Sequence, residues 1–348
     1  MNSVRRSQFT SVVTALLLLA VAGFYANNAW AHHSTARYDL KQQITVTGRV
    51  TRFDWTNPHV YVFVEQTTDS GQKVVWEIEG GPPSIMHRWG WSKDSLHGGE
   101  TITVTGSPAR NPQTKALFPS QIRQNDKVLL DMLAGYGQLT RSPGVPKAAA
   151  KGLNGTWTAV LVMRVMLQYA NPDPSKLTSE GAAAFRRFDE RTLNPGAQCI
   201  PKPAPQLMLS PDLKRITASE SEVRIENELD GAVRTVHMNV ATHAGSMPAV
   251  QGHSIGRWEG NTLVIDTTQF AINSTGNAIK VPSGPGKHLV ERLTASPDGK
   301  ALTYQYEVTD PDYLAVPMKG EVQWVFSPDA TFAPAKCDLE SARRFTRE

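Results

Sequence analysis

The chain has 348 residues, 40% of them hydrophobic and 20% charged, and carries a formal net charge of +4. That composition excludes a disordered polymer. Its Lys and Arg are scattered, with no basic cluster interleaved by aromatics, which excludes a nucleic-acid-binding surface, and the length suits two domains.

The first element is a leader. Arg5 and Arg6 precede an apolar run from Ser11 to Ala26, and Ala29-Trp30-Ala31 supplies a small-x-small site. This pattern predicts a secretory signal peptide over residues 1–31 and export to the periplasm or beyond. Loss of Arg5 and Arg6 lowers the charge to +2 and leaves no second apolar run of the ~20 residues a membrane span requires. Cleavage after Ala31 makes His32 the first mature residue, so a free amine and an imidazole share one residue.

Residues 32–130 read as an all-β domain. "ITVTGRVTRFDW" (44–55), "HVYVFVEQ" (59–66) and "KVVWEIEG" (73–80) alternate with period two and are rich in β-branched and aromatic residues. A short helix follows, with Ser84 as its expected cap and Gly90 as its stop. "ETITVTGSPAR" and "ALFPSQIRQ" complete five strands. Three strands, a helix and two strands is the order of an OB-like barrel.

Residues 131–152, rich in Gly, Pro, Ala and Lys, read as a linker. From 153 to 348 the pattern restarts with "LNGTWTAV", then a helix over 178–191 capped by Thr178 or Ser179. Strands about ten residues apart follow, separated by "DG", "EGN" and "PDGK" turns. They predict an antiparallel β-barrel or sandwich with only minor α content. Gly155-Thr156-Trp157 resembles the opening of lipocalin-like barrels, in which a tryptophan closes the floor and the interior holds one small apolar ligand. Trp157 and Trp258, both beside glycines on these strands, are expected to pack in the core.

Two constellations carry candidate chemistry. His32, with its amine and ring nitrogen, forms one half of a planar nitrogen site suited to Cu(II). The second imidazole comes from His33, His59, His87 or His97, of which His59, in the proline-stiffened "TNPHV" turn, is the best placed. In the second domain His237, His253, Glu259 and Glu291, with Asp266 nearby, fall on or beside strands, and His237 and Glu291 are expected to share an interior as an acid/base pair. Among cysteines there are only Cys199 and Cys337, which in an exported chain reads as one disulfide.

At "HHSTARYD", "WTNPHVYVFV" and "MHRWGWSKDSL" the first domain resembles a family of uncharacterised exported bacterial proteins. At "GHSIGRWEGNTLVIDTTQF", "VERLT" and "YEVTDPDYL" the second resembles another exported family, which shares the "LTSEGAAAFRRFD…NPGAQC" segment. Asn261 stands where that family more often has Asp, and both suit the turn. The two resemblances span almost all the mature chain and imply no established activity. Three functions therefore stand open: a periplasmic binding protein with a small ligand in the C-terminal barrel and copper at the mature terminus; a cofactor-independent acid/base enzyme built on the His/Glu cluster; or a structural module with an envelope protein as partner.

Overall fold

The computed structural model describes residues 37–344, apart from 133, 136–145, 147, 161–171, 230, 244 and 246. The expected signal peptide, His32, His33 and most of the expected linker lie outside the described residues.

Alternation in the first domain produces a small closed barrel. Strands β1 (Ile44–Asp54), β2 (Tyr61–Thr67), β3 (Lys73–Glu79), β4 (Thr101–Pro108) and β5 (Ala116–Gln124) form a sheet in the order β3-β2-β1-β4-β5. It closes because β3 also pairs with β5 in parallel, Glu77 opposite Ala116 and Ile78 opposite Leu117. That ring is the OB arrangement expected from the strand–helix–strand order. Val46, Val50, Val62, Val64, Ile78, Ile102, Val104, Leu117 and Ile122 fill it, each aliphatic side chain contributing about 1.5–3 kcal/mol when buried. A sixth strand, β6 (Lys127–Asp131), extends the sheet beyond the five expected by pairing with β5.

Between β3 and β4 lies α1 (Pro83–Arg88). Gly90, at φ +87°, ends it as expected. Ser84 does not cap it. Pro82 holds the N-cap position without a side-chain bond, and the Ser84 hydroxyl donates to Asp212 of the second domain at 2.7 Å.

The second domain is a closed barrel of nine strands: β7 (Gly155–Ala159), β8 (Leu213–Ala218), β9 (Glu222–Asn227), β10 (Val233–Met238), β11 (His253–Glu259), β12 (Thr262–Thr268), β15 (His288–Ala295), β16 (Ala301–Thr309) and β17 (Met318–Phe326). The hairpin β13 (Asn273–Ala278) and β14 (Val281–Ser283) stands apart from it between β12 and β15. Neighbours are antiparallel with one exception, the parallel pair β10–β11. The exception has a simple cause: an odd number of strands cannot close with every neighbour antiparallel. Residues 239–252 therefore cross from one end of the barrel to the other. The "EGN" turn forms the predicted tight hairpin, with Gly260 at φ +62°, and the helix α2 (Ser179–Arg187) has Thr178 as its cap.

Period-two burial sets the interior. On β16, Leu302, Tyr304, Tyr306 and Val308 point inward, against Trp157, Trp324, Leu263, Ile265, Leu289 and Leu293. Trp157 is fully buried, donates to the Leu153 carbonyl at 2.9 Å and packs on Phe326. Gly155 serves this packing directly, since a Cβ there would lie 2.5 Å from the Phe326 ring. Trp258 departs from the expectation and is 46% exposed. It has the inward parity of Ser254 and Gly256, but it lies beside the Gly260 turn, where the barrel wall ends.

The two barrels are tied together by polar contacts and by the chain's C-terminal segment. Arg88 bonds Glu228 at 3.2 Å, and the Asn57 side chain donates to the Leu229 carbonyl. Cys199 and Cys337 form the predicted disulfide, and Cys337 bridges Asn57 of the first domain. The helix α3 (Leu339–Arg343) follows directly, carrying the C-terminal segment across the first domain.

Candidate functional site

The outer face of the first barrel carries a site assembled from three stretches of chain. Ile78 points into the core, so its neighbours Glu77 and Glu79 point outward from β3. Glu79 is nonetheless fully buried, because the segment Arg37–Tyr38 lies over it from one side and His59 from the other. One carboxylate oxygen accepts from the Tyr38 hydroxyl at 2.7 Å, and the other bonds His59 Nδ1. Arg37 binds Glu77 at 2.9 Å and lies 3.8 Å from Glu79.

The C-terminal segment completes the surround. Arg344, almost fully buried, bonds Glu77 at 3.1 Å and Asp54 at 3.2 Å, with its guanidinium over the Tyr61 and Phe63 rings. Ser341 donates to the His59 carbonyl at 3.2 Å, and Asp338 N–H to the Asn57 carbonyl at 2.8 Å. The backbone of the histidine turn is therefore held by residues more than 270 positions later in the chain.

Electrostatics fix the state of this site. Burial by itself raises the Glu79 carboxyl, but His59, the Tyr38 hydroxyl and Arg37 outweigh it, and the net shift is downward. Burial, followed by the charge of Glu79, holds the Tyr38 and Tyr61 hydroxyls well above their usual range. They stay protonated. An ionised carboxylate only accepts, so His59 donates through Nδ1–H. Its Nε2 is left without a partner among the described residues, on a side chain 27% exposed. Donation of the other ring N–H to a carboxylate is the usual preparation of a metal-binding histidine. Of the alternative imidazoles, His87 is exposed on α1 and His97 is exposed beside Glu100.

The second-domain candidates divide between two faces. Glu291 points into the barrel, where it is paired with the buried Arg234 at 2.7 and 2.9 Å and accepts from Tyr304 at 2.8 Å. Ser254 and Thr267 accept from the same guanidinium. His237, on the opposite parity of β10 from Arg234, is outside. The shared interior expected for His237 and Glu291 does not exist, because strand parity separates them. Glu259 is also outside, bound by Arg257 and Arg292 at 2.7 Å each.

His253 keeps company the sequence reading missed. Its ring stacks on His237 with centroids 5.1 Å apart, and its Nδ1 lies 2.9 Å from His243 Nδ1. His243 Nε2 and His288 Nε2 both bond Asp266 Oδ1, at 3.0 and 2.9 Å. The available signal was distributional: no histidine occurs between positions 97 and 237, and then four fall within 52 residues. Among the described residues, no group of three or more His, Cys, Asp or Glu side chains is placed so that it could hold a metal ion.

A family of unknown function, DUF6152, matches residues 20–118. The match takes in His32, His59, Glu77 and Glu79 and leaves the nine-stranded barrel outside it. None of the curated proteins matches the chain. No helix among the described residues is long and apolar enough to cross a membrane.

Proposed function

We propose that the protein is an exported copper-binding protein whose Cu(II) site joins His59 Nε2 to the amine and imidazole of a mature N-terminal His32. The observation that carries this reading is the shared carboxylate of Glu79. It orients His59 with one oxygen and anchors Tyr38 with the other. The start of the described chain is thereby fixed beside the histidine turn. Arg37 is five positions after His32, and at ~3.3–3.6 Å per residue that is a reach of about 17 Å. Three nitrogen donors in a planar arrangement suit Cu(II), and the amine, with a reference pKa near ~7.7–8.0, gives up its proton to a metal at neutral pH.

The disulfide supports an oxidising compartment, consistent with periplasmic or extracellular residence. A small ligand in the second barrel has no comparable support, since Trp157, Trp324, Tyr304 and the Arg234–Glu291 pair occupy inward positions. The test is spectroscopic. Cu(II) bound to the processed chain should give an electron paramagnetic resonance spectrum with three-nitrogen coupling. His59→Ala should lose one imidazole coupling and bind more weakly. An identical spectrum and affinity in His59→Ala refutes the assignment.

A further inference from the structure

A cleft of about 460 Å³ opens into the five-stranded barrel, and none of the side chains around Glu79 lines it. Its floor is apolar by register. Ile44 and Trp76 carry the inward parity of β1 and β3, in line with Val46 and Ile78, and pack on the core without being fully covered. Pro108, at the end of β4, and Pro112, in the turn to β5, also line it. The size lies within the roughly 300–1,000 Å³ of small-molecule sites.

Backbone hydrogen bonds fix the walls to one another. Asp39 N–H donates to the Pro108 carbonyl at 2.8 Å, and Arg110 N–H to the Arg37 carbonyl at 2.9 Å. Glu77 N–H donates to the Lys115 carbonyl at 2.8 Å, which sets Lys115 beside Trp76. The Lys115 ammonium consequently lies 5.8 Å from the centre of the Trp76 ring. It donates one N–H to the Pro112 carbonyl at 3.0 Å, and two donors remain for a ligand. No ion pair among the described residues uses its charge. The Trp76 indole N–H donates to the Gln66 side-chain oxygen at 3.0 Å, so the ring's edge is held and its face is presented. Arg110 adds a second cation to the lining. Asp39, the acid among the described lining residues, accepts from the Lys41 N–H in its own turn at 3.2 Å.

We propose that this cleft binds a small planar aromatic carboxylate, with its ring offset-stacked on the Trp76 indole beside Ile44 and its carboxylate on the Lys115 ammonium. Three features act together on such a ligand. The indole face offers apolar area in a defined geometry. The ammonium offers a charge-assisted hydrogen bond. Walls already tied together spare the cost of ordering them on binding. A neutral ring gains only the first and third of these, and an inorganic anion only the second and third, so the site selects a ligand that is both flat and charged.

The experiment compares 2-naphthoate with its neutral isostere 2-naphthamide. Each is titrated calorimetrically into the full processed chain, freed of metal by chelation and dialysis. One-to-one binding of 2-naphthoate is expected, at least about 10-fold tighter than 2-naphthamide, as a hydrogen bond to a charged group confers. Lys115→Gln should lower the naphthoate affinity to that of the amide and leave the amide unchanged. Trp76→Leu should weaken both ligands by about 10-fold. Lys127→Gln, the same loss of charge at the exposed start of β6, should change neither. Thermal melts establish that each variant is folded. No binding of 2-naphthoate at millimolar concentration, equal affinity for the two ligands, or an unchanged naphthoate affinity in Lys115→Gln or Trp76→Leu overturns the site. The chain is metal-free throughout and no variant touches His59 or Glu79, so the result is separate from the fate of the copper reading.

Discussion

Glu79 shows how one residue can bring together parts of the chain that sequence distance separates. Its two oxygens hold His59 and Tyr38, and its carboxyl is shifted downward in the folded protein. A folded-state value below the unfolded one makes the stabilisation present above the unfolded pKa, here the ordinary 4.5, and lost as pH falls through the folded value. Denaturant unfolding from pH 7 to pH 3 should therefore show a steeper loss in the parent than in Glu79→Gln, and parallel curves would contradict this. The buried Arg234–Glu291 pair predicts a different response. Glu291→Ala leaves a guanidinium at 0% exposure without its counter-charge, which should cost about 3–5 kcal/mol. A change below 1 kcal/mol on urea unfolding would place water beside Arg234. Neither pairing was legible in the sequence: an Arg and a Glu 57 positions apart carry no local sign of facing each other, and His59 was singled out only for its turn.

At the scale of elements, alternation was legible and phase was not. The periods marked nearly every strand, "KRITASESEVRIENE" holding two of them as the hairpin β8–β9, but Trp258 lies past the point where β10 stops pairing with β11, at Met238 opposite Gly256, and is half-exposed. Parity alone cannot report where a wall ends. Trp157→Ala should accordingly cost about 3–5 kcal/mol, whereas Trp258→Ala should stay within about 0.5 kcal/mol, as surface changes do. Equal losses would restore Trp258 to the core. The helix α3 has no amphipathic signal of its own at five residues. What holds it is the disulfide at its start and Arg344 at its end. The Cys199–Cys337 link closes a loop of 138 positions, worth about 5 kcal/mol on the chain-entropy model. Replacing both cysteines by Ser should lower stability by an amount of that order and also weaken copper binding, because Ser341 and Asp338 hold the His59 turn. Unchanged affinity in that variant would show that the turn stands without its C-terminal support.

For the whole molecule, both ends of the described chain converge on one face of a small OB-like barrel, and the larger barrel serves as the frame from which the C-terminal end arrives. The sequence announced two β domains and a disulfide. It did not announce that the disulfide brings the second domain's last helix onto the first domain's histidine, because the joining contacts, Ser84–Asp212, Arg88–Glu228 and Arg344–Glu77, link residues 128 to 267 positions apart. The central claim is that this convergence prepares His59 for a metal held jointly with the mature terminus. Its most direct test is the Cu(II) affinity of two chains that differ by one residue, the processed chain beginning at His32 and the same chain with a single Gly in front. The added residue removes the amine–imidazole chelate and leaves every described contact in place. The account predicts tight one-to-one binding for the first, weakening as pH falls, and a large loss for the second. Equal affinity in the two would contradict it.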